Sequence, residues 1–364
     1  MREPALDLKG VSLRSADLPP LAPTDLGAEP GEHVALVERG DGAALTVMLI
    51  AAGFSRPDIG RVIFSGRDLT DRPPGDRPSR WLATGLGLFA AATVLDNIAF
   101  ALPDPALRPV ERRRHALARL DRHGLAALAA LHPADLAPAE AVRVALVRAF
   151  AGEPLVLLLD RPFLGVPVAE RPALREALAT MRREHAPTVV ERCDDPGEAL
   201  ADADRVALFE AGRLIQIDTP DRVWSSPVSA AAARLTGEVD LVAGRLLHRD
   251  GDRGRVATPI GEIVGTIFGP LAIGAPVTAG FRPEHVDLGP VDPAAPDIAN
   301  RFEADFLDRR LTGATVRLRF AAAGEEIVVV RSDRGSRRHL FAGRTRLSIA
   351  AEDVWIHPRT EGTP

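Results

Sequence analysis

Apolar runs of strand length, VALV, RVIF, LVLLLD, TVVE and RVALFE, recur between helix-patterned stretches through residues 1 to about 238. Their alternation predicts an α/β domain with a largely parallel sheet. Helices are expected over 110–131 and 139–151. In the second of these, Val142, Leu146 and Ala149 recur at three- to four-residue spacing and form one inward stripe; Pro133 and Pro138 bracket the loop before it. Beyond residue 235 the texture changes to short β-branched runs between glycine and proline turns: LVAGRLL, RVATPIGEIVG, PVTAGF, TVRLRF, EEIVVVR, RLSIA and DVWIH. That pattern predicts an all-β domain. FRPEHVDL at 281–288 echoes IAAEDVWI at 349–356, as two small barrel-like modules would. The expected domains are 1–238 and 239–364.

One junction has the layout of a phosphate-binding loop. HVALVERGDGAALTVMLIAAGF, residues 33–54, passes from a strand-like run through a loop with two glycines into a helix-length apolar run. A working loop of this kind closes backbone N–H groups around phosphate, uses lysine on the β and γ phosphates and a Ser/Thr hydroxyl on Mg²⁺. The candidate positions are Glu38, Arg39, Gly40, Asp41, Gly42, Ala43, Ala44, Leu45 and Thr46. The first required glycine falls on Glu38, the second on Ala43, the lysine on Ala44 and the metal-binding hydroxyl on Leu45; Thr46 comes one position late. By spacing alone the stretch reads as a plain strand-to-helix turn. Arg39 could hold an anion in place of lysine, although a solvated loop arginine is the blander reading.

Composition narrows the choice. At 364 residues, 46% hydrophobic and 26% charged, the chain has the make-up of a globular protein with room for more than one domain. A net charge of −5 argues against nucleic acid as a partner, which needs a basic field. The Arg112, Arg113, Arg114 run reads as a solvated helix face. Cys193 is the only cysteine, which rules out an intrachain disulfide and fits a reducing compartment; it reads as a small buried filler. The nine histidines are scattered with no ligand spacing, so no structural metal is expected. The longest apolar runs, 43–53 and 85–95, fall short of the roughly 18 residues a membrane span needs. With no apolar export segment at the start, a cytoplasmic location is expected, the membrane being touched only through a partner. Lys9 is the sole lysine, Gln216 the sole glutamine, and tyrosine is absent.

PGEHVALV (30–37), GRVIFSGRDLTDRPPGDR (60–77), TVLDNIAFAL (93–102), RVALVRAF (143–150), LVLLLDRPF (155–163) and GRLIQIDTPDRVWSSP (212–227) together resemble the ATP-binding subunits of ABC transporters. The likeness is to the importer type with a C-terminal β domain, and VTAGFRPEHVDL (277–288) and AEDVWIHP (351–358) resemble the ends of the two halves of that TOBE domain. The resemblance implies a P-loop NTPase-like α/β domain with a helical subdomain at about 84–135, followed by an OB-like domain. It also implies ATP and magnesium as cofactors, a membrane permease docked on the helical subdomain, and a homodimer or a heterodimer with another such subunit.

Every catalytic motif departs from that family's pattern. The signature that would meet the partner's nucleotide reads Leu136, Ala137, Pro138, Ala139, Glu140. The Q-loop glutamine falls on Thr84. Asp160 survives as a possible Mg²⁺ contact, but the catalytic carboxylate after it is Arg161. The D-loop falls on Leu164, Gly165, Val166 and Pro167, and the switch histidine on Asp194. Nucleotide would meet Glu38 and Asp41 without a lysine. Losing one charge-assisted bond costs about 1.5–3 kcal/mol and each 1.4 kcal/mol is about tenfold, so weak or absent ATP binding is expected, with Glu38 or Asp41 capping the helix in the phosphate's place. The reading is a pseudo-ATPase subunit on the inner face of the membrane, structural or regulatory partner of an importer permease. The alternatives are a working import ATPase using Arg39, Thr46 and Asp160, and an adaptor that senses a ligand through its β domain.

Overall fold

The structure is a computed structural model and describes residues 3–40, 42–289, 300–332 and 343–359; Asp41 lies outside them. The chain separates into two compact units, 1–220 and 221–364. Along the first run β1 (Leu6–Leu13), β2 (Leu21–Ala28), β3 (His33–Glu38), α1 (Ala43–Ala52), β4 (Ile59–Phe64), β5 (Arg67–Asp68), β6 (Ser79–Leu82), α2 (Val94–Ala101) and α3 (Pro109–Arg122). There follow α4 (Pro138–Ala151), β7 (Val156–Asp160), α5 (Arg171–His185), β8 (Thr188–Cys193), α6 (Pro196–Asp202), β9 (Arg205–Glu210) and β10 (Arg213–Asp218).

The central sheet has the order β10-β9-β3-β8-β7-β6, parallel throughout except for β10 at one edge. Every residue of β7 and β8 is buried, and every residue of β3 but Glu38. Helices and a second sheet cover both faces, which is why these strands read as unbroken apolar runs rather than alternating ones. Side chains of β7 point to opposite faces in turn. Leu158 joins the core under α1, whereas Leu157 and Leu159 join the core under α4 and α5. The RVIF run, expected in the parallel sheet, lies instead in an antiparallel one of order β2-β1-β4-β5. Its burial alternates, Val62 and Phe64 inward, as a strand with one wet face requires.

Two helix expectations change. The stretch expected to stay helical to 131 stops at Arg122, because Gly124 takes a left-handed φ of 69° that turns the chain. The arginine run is only partly a solvated face: Arg112 donates from Nη1 to Ala99 O at 3.1 Å and Leu102 O at 2.9 Å, capping the end of α2, and Arg113 pairs with Asp96 at 2.9 Å. In α4, Val142 and Leu146 are buried as expected, but Phe150 completes the stripe and Ala149 is half-buried.

The second unit opens with α7 (Pro220–Ser225) and α8 (Ala230–Thr236) and continues through β11 (Asp240–Asp250), β12 (Arg253–Thr258), β13 (Gly261–Ile267), β14 (Pro276–Phe281) and β15 (Asp287–Leu288). The strands β16 (Asn300–Leu311), β17 (Thr315–Ala322), β18 (Glu325–Ser332), β19 (Arg344–Ile349) and β20 (Trp355–Pro358) complete it. β11-β12-β13-β20-β14 close into an OB-like barrel, while β15-β19-β16-β17-β18 form an open sheet, so one barrel and one sheet replace the two barrels expected. The boundary also moves, from 238 to 220. Arg282 is the reason: fully buried, it donates to Ala233 O at 2.9 Å, Glu238 O at 3.2 Å and Thr236 Oγ1 at 2.7 Å, and its guanidinium lies 4.0 Å from the Trp224 ring. Those bonds fasten α7 and α8 to the β unit. The two echoed segments form equivalent 3₁₀ turns, Pro283–His285 and Ala351–Asp353, and their matching residues meet, His285 Nδ1 lying 3.1 Å from Asp353 Oδ1.

Asp240 gives this unit a pH dependence. Its buried carboxylate accepts from Val328 N at 3.1 and 3.3 Å, and burial, opposed by that N–H, pushes its carboxyl up to about 8 from 3.8. Between those values unfolding releases a proton that the fold retains, so stability falls as pH rises through the window. Asp240→Asn is expected to remove that component. Thermal melts of the full chain between about pH 5 and 8 would check it; equal slopes for the two proteins would sink the assignment.

Candidate functional site

The loop between β3 and α1 turns on Gly40 and Gly42, both left-handed at φ 76° and 74°. Only glycine serves at 42, since a Cβ there would lie 2.4 Å from Pro19 Cγ. The turn aims the first N–H groups of α1, unpaired within the helix and at the positive end of its dipole, at the end of β3. Such a spot holds an anion. Here the chain supplies it: Glu38 Oε2 accepts from Ala44 N at 2.8 Å. The Thr46 hydroxyl, one position too late for a metal, donates to Pro19 O at 2.8 Å, so the β1–β2 connection is fastened over the loop. Arg39 is exposed.

The cation comes from β8. Arg192, 9% exposed, reaches Asp160 Oδ1 through Nε at 2.7 Å and Nη2 at 2.6 Å, and Glu38 Oε1 through Nη1 at 3.2 Å. Strand order dictates the meeting: β8 lies between β3 and β7, with Asp160 directly opposite Arg192. Thr84 donates to Asp160 Oδ2 at 3.2 Å and to its backbone O at 3.1 Å. The structure therefore gathers Glu38, Thr84 and Asp160 around an arginine that sequence reasoning missed. A signal was present, because TVVERC places a glutamate and an arginine side by side in a wholly buried strand, and buried charges need partners on both faces. On the other face Glu191 bonds His33 Nε2 at 2.9 Å and Arg175 Nη1 at 2.8 Å.

The next residue is held in an unusual backbone. Arg161 sits at φ 47°, its N–H donating to Arg192 O at 3.1 Å and its Nη1 lying 3.4 Å from Asp194 Oδ1. The two positions expected to carry the catalytic carboxylate and the switch histidine thus hold a cation and an anion facing one another. Burial pushes the neighbouring Cys193 thiol well above its ordinary value, so it stays neutral and serves as filler. The remaining predicted positions stand apart. Leu136 to Glu140 lead into α4, where Pro138 occupies the first helical position and Glu140 Oε2 accepts from Ala137 N at 2.9 Å. No described contact joins them to the Glu38–Arg192–Asp160 cluster.

A profile described as ABC transporter matches residues 21–164. The chain is 32% identical over 330 residues to a sulfate/thiosulfate import ATP-binding protein of Bordetella bronchiseptica, covering 89% of this chain and 90% of that one. It belongs to the ABC transporter ATP-binding family. Among other ABC relatives are a spermidine/putrescine import ATP-binding protein of Acidothermus cellulolyticus (31% identity; 77% and 73% covered) and a molybdate/tungstate import ATP-binding protein of Thermococcus kodakarensis (32%; 76% and 81%). A nucleotide-free ATP-binding cassette from an ABC transporter superposes with a TM-score of 0.52 at 16% identity, covering 59% of this chain and 91% of that chain, and shows the cassette fold.

An ABC cassette implies nucleotide and magnesium, and the residues present do not fit them. The N–H that would meet phosphate is bonded to Glu38, and the carboxylate that would meet magnesium is bonded to Arg192, with Arg161 Nε a further 4.0 Å from its Oδ1. Arg192 should be the keystone of this arrangement. Arg192→Leu would take the shared cation from two buried carboxylates and is expected to cost about 3–5 kcal/mol, and adding Asp160→Asn should recover part of that loss. Urea unfolding of the single and double variants measures both; equal stability of Arg192→Leu and the parent would overturn the keystone role.

Proposed function

We propose that this ABC subunit is a pseudo-ATPase, a structural or regulatory partner of an importer permease. One observation carries the reading: the Glu38 carboxylate occupies the helix N-terminus at 2.8 Å from Ala44 N, neutralised from behind by Arg192. A polyphosphate arriving there would meet a resident anion and find no lysine. Positioning and charge stabilisation, which phosphoryl transfer needs together, are both withdrawn. The groups an unconventional ATPase would use are engaged elsewhere, Thr46 with Pro19 and Asp160 with Arg192 and Thr84.

Support for a transport role is the importer naming of its relatives, whose printed cargoes are sulfate or thiosulfate, spermidine or putrescine, and molybdate or tungstate. No helix among the described residues is long and apolar enough to cross a membrane, so in this reading the subunit works through a permease on the inner face. The helical segment 84–135 carries the docking surface: Phe89 and Phe100 stack edge-to-face at 4.9 Å and are 43% and 71% exposed. Its mate in the cassette dimer is a second copy or an intact ATPase subunit.

MgATP titration of the purified chain is expected to show no saturation below about 1 mM. Installing Glu38→Gly, Ala43→Gly, Ala44→Lys and Leu45→Thr together should bring binding up by about a hundredfold or more. Micromolar binding by the unaltered chain, with phosphate release abolished by Asp160→Ala, would refute the proposal.

A further inference from the structure

We propose that His123, Glu184 and His185 form a divalent-metal site of zinc type, which ties the end of α3 to the end of α5. Their ligating atoms, one from each side chain, lie within 4.8 Å of one another, with His185 Nε2 4.0 Å from Glu184 Oε2. Zinc bonds of about 2.0–2.2 Å in a tetrahedron put ligand atoms about 3.3 Å apart. Side-chain rotation that closes the set by about 1.5 Å at most therefore completes the coordination.

The surroundings suit a cation. His123 follows the last residue of α3 and His185 is the last residue of α5, so two helix C-termini, each with a negative dipole end, converge on the set. Burial lowers both imidazoles from their ordinary value, which keeps them neutral and able to ligate. Of the arginines nearby, Arg119 is paired with Glu153 at 2.8 Å, Arg143 donates to His123 O at 2.6 Å, and Arg122 opposes the ion. Phe150 packs on the His185 ring, 5.6 Å between centroids, and limits its rotation.

Two imidazoles and a carboxylate select borderline metals over calcium or magnesium, and three protein ligands leave a coordination position for water. The ion would clamp the helical segment that α3 belongs to against the α/β frame that α5 belongs to. This does not depend on the nucleotide reading, and His123, distant in sequence from the adjacent Glu184 and His185, escapes any search by spacing.

The test is calorimetric titration of the chelator-stripped full chain with ZnCl₂, together with the visible d–d bands of Co²⁺ as a probe of coordination. The expected result is one ion per chain and Co²⁺ bands of a four- or five-coordinate site. His123→Ala, His185→Ala and Glu184→Gln should each weaken binding at least about tenfold, the loss that even an outer-shell change brings, while exposed His248→Ala leaves it unchanged. Should a histidine variant fail to fold, exposed Glu184→Gln, with an unchanged circular dichroism spectrum, carries the test. No saturable binding, or binding unaffected by Glu184→Gln and the histidine variants, overturns the site.

Discussion

The first unit turns on how one buried arginine divides itself between two acids. Arg192 stands between β3 and β7 and gives one face of its guanidinium to Asp160 and one nitrogen to Glu38. Without it, the carboxylates of Glu38 and Asp160, on the two strands that flank β8, would lose their shared cation, a cost of several kcal/mol. Arg192 is one cation for two acids, and other groups share the load, among them Arg161 Nε at 4.0 Å from Asp160 Oδ1. The α1 dipole and the Ala44 N–H take Glu38, and the Thr84 hydroxyl takes Asp160. The result is an electrostatic set in which both acids are answered from within the chain.

The cassette fold itself does not need the residues that this chain lacks. A phosphate-binding loop is held open by strand, glycine turn and helix, and all of these depend on apolar packing and φ values rather than on lysine. Gly42 keeps its left-handed turn and its contact with Pro19. On the opposite face of β8, Glu191 with His33 and Arg175 locks the strand to α5 and to β3. Charges on both faces of one central strand fix its register more tightly than apolar residues could, since a one-residue slip would bury each of them against the wrong face.

Much of this was legible in the chain. The runs HVALV, LVLLLD, TVVE and RVALFE became strands of the central sheet because unbroken apolar runs demand burial on both faces, and of the two acids expected to cap the helix, Glu38 or Asp41, Glu38 accepts from Ala44 N. What escaped was whatever depends on strand order or on distant chain. Arg192 meets Glu38 and Asp160 only because β8 inserts between β3 and β7. The strand β16, with buried Phe302 and Ala304 alternating with Arg301 and Glu303, hid in a polar-looking stretch. Arg282 shifted the domain boundary through hydrogen bonds that no local pattern announces, and Gly124 ended α3 where periodicity alone continued it.

The manner of the departures bears on whether the chain still has a task. Unselected loss of catalytic residues would leave charges stranded, since a buried carboxylate or guanidinium without a partner is costly wherever it falls. Here the charges are partnered. Glu38 meets Arg192, Arg161 faces Asp194, and Glu140 accepts from Ala137 N just ahead of α4. Two of these pairs, Glu38 with Arg192 and Arg161 with Asp194, join residues far apart in sequence that meet only through the fold. Internal pairing of this kind preserves a rigid cassette, which is the property that the proposed pseudo-ATPase role requires of a subunit whose contribution is its shape rather than its turnover.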